Sequence, residues 1–401
     1  VITNSEKTVI KPLPYVSEIK PYVPGKPVKE LERELGIKDS IKLASNENPL
    51  GPSPKALKAL KEYLQTGCEV HRYPEGSGYY LKNALVEKVS ECQSVRVSGE
   101  KIAPDNIILG NGSNEIIDIA VRTFMGPEDE AVMATPSFII YSMSVRSVGA
   151  KAVEVLLADY RHDLIKTAEA ITDKTKMVFI ANPNNPTGTI NKRDEFARFM
   201  DMVPDGILIV VDEAYHEYVT DSEYPDTLNY FLEGRDILIL RTFSKAYGLA
   251  GLRIGYGIAG KKIISEMNKI REPFNTNTLA QLAATHALTD DKHLKKTIEV
   301  NEHGKEFIYR ELNFLGISYI PTEANFIYMP LHSEAKTLYN SLLKHGVIVR
   351  PVGQKEIRVT IGLPEENKRF IEALKEVISV SDRCQFYKML TLTHVTDTDT
   401  K

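Results

Sequence analysis

Ile237-Leu238-Ile239-Leu240-Arg241-Thr242-Phe243-Ser244-Lys245 is the stretch on which the reading of the fold turns. Its first four residues are apolar without a polar alternation. A strand of that kind is buried on both faces, as in a mainly parallel sheet covered by helices. Polarity then switches on abruptly, and two hydroxyls and a lysine follow within five residues. The continuation, Ala246-Tyr247-Gly248-Leu249-Ala250-Gly251-Leu252-Arg253, is apolar and Gly-rich. An ordinary basic surface loop would have charged flanks, so this segment reads as a lined pocket at the end of a buried strand.

The same texture recurs outward in both directions. Ile107–Leu109, Ala131–Ala134, Met177–Ala181, Ile207–Val211 and Ile254–Ile258 are further short apolar runs, and helix Asn114–Phe124 follows the first of them. Together they predict an α/β three-layer sandwich with a mainly parallel sheet. After about residue 290 the pattern changes to a smaller α+β unit. A long charged helix over 290–315 leads to strands at Ile317–Ile320 and Asn325–Met329. A helix over 334–345, strands at Val347–Arg350 and Ile357–Ile361, and a helix over 365–378 complete it. Residues 1–28 are rich in Pro and read as an extended arm, and helix Val28–Leu35 stops at Gly36. The expected division is 1–40 for the arm and part of the small domain, 41–290 for the large domain and 291–381 for the small domain. Residues 382–401, ending in THVTDTDTK, read as a mobile tail.

Bulk properties narrow the function classes. The 401 residues carry a net charge of −4, with 42% hydrophobic and 26% charged residues. There is no basic stripe to support nucleic-acid binding and no apolar run of membrane-spanning length. Cys68, Cys92 and Cys384 are far apart and match neither a zinc site nor a disulfide framework. No metal is expected. A reducing compartment, and hence the cytoplasm, fits best. The start, VITNSEKTVIKPLPY, lacks the apolar core of a secretory signal.

Polar clusters sit at the C-terminal ends of the buried runs, where open α/β sheets bind ligands. Gly110-Asn111-Gly112-Ser113-Asn114-Glu115 follows a strand and opens a helix. Its backbone N–H groups could cradle an anion, or it could be a tight turn with Ser113 as N-cap. Pro183-Asn184-Asn185-Pro186-Thr187-Gly188 reads as a Pro-rich turn, or as a rigid loop presenting the Asn185 amide. Asp212 in Asp212-Glu213-Ala214-Tyr215 either caps a helix or partners a buried cation, since a carboxylate at the end of an apolar strand is costly to bury alone.

In order, GNGSNE, PSF (136–138), NPNNPTG (182–188), DEAY and SKAYGLAGLRIG (244–255) resemble the fold-type-I pyridoxal-phosphate aminotransferases. PYVPGKP (21–27), ASNENPLGPSP (44–54), RYPEGSG (72–78), REPFN (271–275), ANFIYM (324–329) and VRPVG…IRVTIG (349–362) are similar to the histidinol-phosphate aminotransferase branch. The resemblance spans roughly residues 20–378 and implies pyridoxal 5'-phosphate as cofactor. It makes Lys245 the Schiff-base lysine and Asp212 the partner of the pyridinium nitrogen. Tyr215 and Asn185 would bond the phenolic oxygen, and Phe138 would stack on the ring. Ser113, Asn114, Thr242, Ser244 and Arg253 would hold the phosphate, with Tyr73 reaching it from a partner subunit of a homodimer. On the substrate side it implies Arg358 for the anionic end, with Asn185, Arg350 and Tyr22 beside it. Arg350 by itself could equally form a surface ion pair. The segment PVGQKEI between Arg350 and Arg358 is shorter than the Gly-rich loop often found there in the family.

The expected reaction moves an amino group between glutamate/2-oxoglutarate and histidinol phosphate/imidazole-acetol phosphate. The alternatives are an aromatic amino acid aminotransferase, a phospho-amino-acid decarboxylase of the same fold, and a pyridoxal-phosphate-binding regulator that does no chemistry.

Overall fold

The computed structural model describes residues 10–92 and 101–380. The tail expected at 382–401 lies outside them. A two-residue strand, β1 (Ile41–Lys42), precedes the main sheet. That sheet contains β2 (Ile107–Gly110), β3 (Glu130–Thr135), β4 (Lys151–Leu156), β5 (Thr175–Ala181), β6 (Leu208–Asp212), β7 (Ile237–Thr242) and β8 (Gly255–Ala259). The strand order is β2-β8-β7-β6-β5-β3-β4. Strands β3 to β7 pair in parallel, and β8 runs antiparallel to both its neighbours.

Burial explains the continuous apolar runs. Ile237 and Ile239 of β7 face one apolar cluster, while Leu238 and Leu240 face another on the opposite side of the sheet. The first face is covered by helices Tyr79–Cys92, Arg193–Met202 and Thr278–Ala287, which contribute Leu85, Phe196, Phe199 and Ala284. Helices Ser113–Phe124, Ile140–Ser147 and Lys261–Ile270 cover the second, through Ile117, Tyr141 and Met267. Each fully buried aliphatic side chain contributes roughly 1.5–3 kcal/mol over an exposed one. Strand β4 was not foreseen. It lies at the sheet edge with no residue fully buried, and Lys151 and Glu154 break up its apolar residues, so it has no apolar run to betray it.

The C-terminal part has its own core, in which Ile308, Leu312, Ile327, Val359 and Phe370 cluster with Leu43. Its antiparallel sheet consists of β9 (Phe326–Pro330), β11 (Arg350–Pro351) and β12 (Glu356–Thr360), while β10 (Val347–Ile348) pairs in parallel with β1. The expected strand Val347–Arg350 is therefore split between two sheets. Ile317–Ile320 is not a strand, since only Ile320 forms a bridge, to Tyr328. The described part of the arm is not wholly extended, because Pro14–Ser17 makes one helical turn. Helix Val28–Leu35 ends as expected, with Gly36 in the left-handed region at φ 66°.

Strand register sets the position of the site. Ala181 lies opposite Asp212, and Asp212 opposite Leu240. Thr242 lies opposite Gly255, and Gly255 opposite Gly110. The ends of five strands thus meet along one sheet edge.

Candidate active site

A cavity of about 130 Å³ opens at this edge. Ser113, Asn114, Phe138, Asn185, Asp212, Tyr215, Thr242, Ser244, Lys245 and Arg253 line it. Every residue assigned to the cofactor from sequence is therefore brought together, with the exception of Tyr73. That side chain is 81% exposed and stacks on Phe274 with ring centroids 4.8 Å apart, outside the cavity lining.

At one end of the cavity lies the start of helix Ser113–Phe124. Its N-cap is Gly112, at φ 74°, and no side chain caps the helix. Ser113 is the first helical residue and not the N-cap. The uncapped N–H groups and the helix dipole make this end an anion site. Arg253, itself left-handed at φ 57°, turns its guanidinium onto this loop. Its Nη2 donates to Asn111 O at 3.3 Å, and its Nη1 to Ser244 Oγ at 3.3 Å. Glycine is required at position 112 for this left-handed backbone angle, and a Cβ there would also lie 2.7 Å from Arg253 Nη2, so that the guanidinium would have to shift.

At the other end stands Asp212, 5% exposed. Its Oδ2 accepts from Tyr141 Oη at 2.8 Å and its Oδ1 from Ala214 N at 3.1 Å. Burial pushes its pKa up to about 6, against the pull of these two donors and of Lys245. Among the described residues no basic side chain forms an ion pair with it, so this is a buried acid in want of a cation. The adjacent Glu213 points elsewhere: Arg241 Nη2 reaches its Oε2 at 2.8 Å and Thr227 Oγ1 donates to Oε1 at 2.6 Å. Burial opposes the charge of Glu213, but Arg241, His216 and Thr227 together outweigh it and hold the carboxyl below its ordinary range.

Lys245 follows β7, and its Nζ donates to Ser45 O at 3.3 Å. Burial, aided by Arg358, lowers its pKa to about 8. A substantial fraction of the amine is then neutral near pH 8 and able to attack a carbonyl carbon. Tyr215 Oη accepts from Asn46 Nδ2 at 2.8 Å, and burial raises the phenol pKa. Asn46 in turn accepts from Thr360 Oγ1 at 3.1 Å, which links this tyrosine to β12.

A second cavity of about 200 Å³ shares Phe138 and Asn185 with the first and is also lined by Tyr22, Arg350 and Arg358. Arg350 and Arg358 lie directly opposite each other on the antiparallel strands β11 and β12. Like charges in that position repel. Burial and, secondarily, Arg350 lower the pKa of Arg358. Arg358 donates to Asn185 Oδ1 at 2.5 Å and to Ala44 O at 2.9 Å, and its buried Nε has no partner among the described residues. Arg350 donates to Val23 O at 2.8 Å and lies 5.5 Å from the Tyr22 ring centre. Among the described residues it is held by the arm and not by a carboxylate, despite the short loop that follows it.

Sequence reasoning missed Tyr141 and Asn46. Tyr141 lies three residues after Phe138 in the segment Pro136–Tyr141, at the spacing of one helical turn. Asn46 adopts φ 55°, a left-handed conformation to which asparagine is suited; its motif had been noted without a role.

The family model for aminotransferase class I and II matches residues 38–374. A histidinol-phosphate aminotransferase of Moorella thermoacetica is 46% identical over 377 residues, 93% of this chain and 94% of that one. The chain belongs to the class I and II aminotransferases, among the histidinol-phosphate aminotransferases. Histidinol-phosphate aminotransferase 2 of Hydrogenovibrio crunogenus is 44% identical, covering 92% of this chain and 97% of its own. Among solved structures, the histidinol-phosphate aminotransferase from Sinorhizobium meliloti in complex with pyridoxal-5'-phosphate is similar at TM-score 0.83 and 26% identity. That match covers 94% of this chain and 99% of the other. The residues lining this aminotransferase's first cavity fit such a group. The uncapped helix end and Arg253 suit a phosphate, Asp212 suits a protonated ring nitrogen, and Lys245 suits an aldehyde.

Proposed function

We propose that the chain transfers an amino group between glutamate/2-oxoglutarate and histidinol phosphate/imidazole-acetol phosphate. In this reading it works with pyridoxal phosphate, as a cytoplasmic homodimer whose large domain is 41–290 and small domain 291–381. The observation that carries the substrate class is the opposed pair Arg350 and Arg358, whose cavity shares Phe138 and Asn185 with that of Lys245. Two facing guanidiniums are relieved by an anion between them, and a guanidinium grips either a carboxylate or a phosphate. Both substrates carry such a group, so one clamp serves both half-reactions.

Pyridoxal phosphate, when bound, supplies a sink for the electron pair left at the substrate's Cα. Asp212 holds the proton at the ring nitrogen. Lys245 Nζ would hold the aldehyde and is the group placed to accept the proton from Cα as a general base. Its lowered pKa suits both tasks. Asn185 and Tyr215 would bond the phenolic oxygen, Phe138 would cover the ring face, and Ser113, Asn114, Thr242, Ser244 and Arg253 would hold the phosphate. Tyr73, exposed on this chain, would complete the phosphate site of a second copy.

A single-turnover assay tests the proposal. The visible absorbance of the loaded protein is followed after addition of histidinol phosphate or phenylalanine to separate samples. Rapid bleaching with histidinol phosphate alone is expected. A response to phenylalanine alone would replace the substrate assignment with an aromatic one, and release of carbon dioxide would replace transamination with decarboxylation. No response from a fully loaded protein to any amine donor would favour a non-catalytic binder.

A further inference from the structure

Asp212 is held by a residue that the reaction scheme does not use. Tyr141 is 1% exposed. Its ring stacks on Phe179 of β5 at 4.9 Å and 13°, and meets Phe138 edge-on at 5.5 Å and 83°. Phe179 lies two residues before Ala181, the register partner of Asp212. The ring is thereby wedged beneath the end of β6, and its hydroxyl reaches Asp212 Oδ2 at 2.8 Å. Both side chains line the cavity.

We propose that Tyr141 is a positioning residue for the cofactor's ring nitrogen, its hydroxyl orienting the Asp212 carboxylate and keeping it ionised so that it can pair with that nitrogen. A carboxylate offers about four acceptor sites, and Tyr141 and Ala214 N use two, leaving capacity on the cavity side. A hydrogen bond to the ionised form favours that form. Without it the carboxylate is more basic. The proton shared with the ring nitrogen then moves toward Asp212, and the attraction between the two weakens. Phe179 and Phe138 fix the plane of the ring, so the hydroxyl presents itself in one direction without further ordering.

This inference rests on the pyridoxal-phosphate reading, and its test separates the two. Apoprotein is titrated, with fluorescence detection, against pyridoxal phosphate and against its 1-deaza analogue, in which a C–H replaces the ring nitrogen. The wild type is expected to prefer pyridoxal phosphate. Tyr141→Phe, which removes one oxygen and keeps both ring contacts, should lower that preference by about tenfold while leaving the affinity for the analogue unchanged. In an Asp212→Asn background the same change should have no further effect on the preference. Tyr141→His, which retains a ring and an N–H donor, should keep more of the preference than Tyr141→Phe or, should the latter not fold, more than Asp212→Asn.

Equal weakening of both ligands by Tyr141→Phe would make the residue a packing element and overturn the proposal. So would an unchanged preference, or a His variant that retains none. A wild type that binds neither compound would instead overturn the cofactor reading.

Discussion

Asp212→Asn should make the apoprotein more stable while removing its function. In the folded chain burial raises the Asp212 carboxyl from its ordinary value of 3.8 to about 6. That difference corresponds to about 3 kcal/mol. Between pH 3.8 and about 6 the folded state binds more protons than the unfolded state, so rising pH removes stability through this window. Above it the full cost is present; well below 3.8 none remains, and by pH 5 about half is left. Asparagine keeps the shape without the charge and escapes the cost. For a chain of 401 residues the unfolding entropy makes 3 kcal/mol equivalent to about 4 °C in Tm. The assay is a thermal melt of both apoproteins at pH 5 and pH 8, by circular dichroism. The variant should melt about 4 °C higher at pH 8 and roughly half that margin higher at pH 5. Saturation with pyridoxal phosphate should reverse the order, because the wild type regains a cation for its carboxylate. An Asn apoprotein no more stable than wild type at pH 8, or a margin independent of pH, would refute the argument that Asp212 is a charge buried in wait for a partner.

Other consequences are equally direct. With the Lys245 pKa lowered to about 8, capture of pyridoxal phosphate by the apoprotein should accelerate as pH rises through 8, where the amine loses its proton; stopped-flow absorbance should find that midpoint and not one near 10.5. Arg358→Ala should reduce kcat/KM for both amine donors by about 100-fold, as expected for the loss of a charged double hydrogen bond, and Arg358→Lys should recover little of it; steady-state kinetics would show whether one donor is spared. Arg241→Ala leaves Glu213 buried without its cation and should cost roughly 3–5 kcal/mol, lowering Tm by about 4–6 °C, and the loss should shrink in Arg241→Ala with Glu213→Gln.

Each strand of the main sheet interior announced itself as an apolar run, because a strand covered on both faces has no polar position to interrupt it. The polar residues at the ends of those runs were legible for the same reason: Asp212, Lys245 and Asn185 follow directly on segments that must be buried, where a charge or amide needs a purpose. Strand β4 escaped notice because no residue of this edge strand is fully buried and Lys151 and Glu154 break up its apolar residues, and Val347–Arg350 was read as one strand because its division between two sheets is set by pairing partners far along the chain. Tyr73 shows a different limit, since the role proposed for it would depend on a second copy of the chain.

What local sequence determined, then, was the set of buried strands and the chemistry placed at their ends, both of which follow from hydrophobic pattern and from the cost of burying polar groups. Tertiary structure alone decided the distances. The opposition of Arg350 and Arg358 depends on the register of β11 with β12. The bond from Asn46 to Tyr215 joins residues 169 positions apart. The Tyr141 hydroxyl finds Asp212 because Phe179 and Phe138 fix its ring plane. Such contacts depend on side-chain packing between elements remote in the chain, and no local pattern of residues encodes that packing.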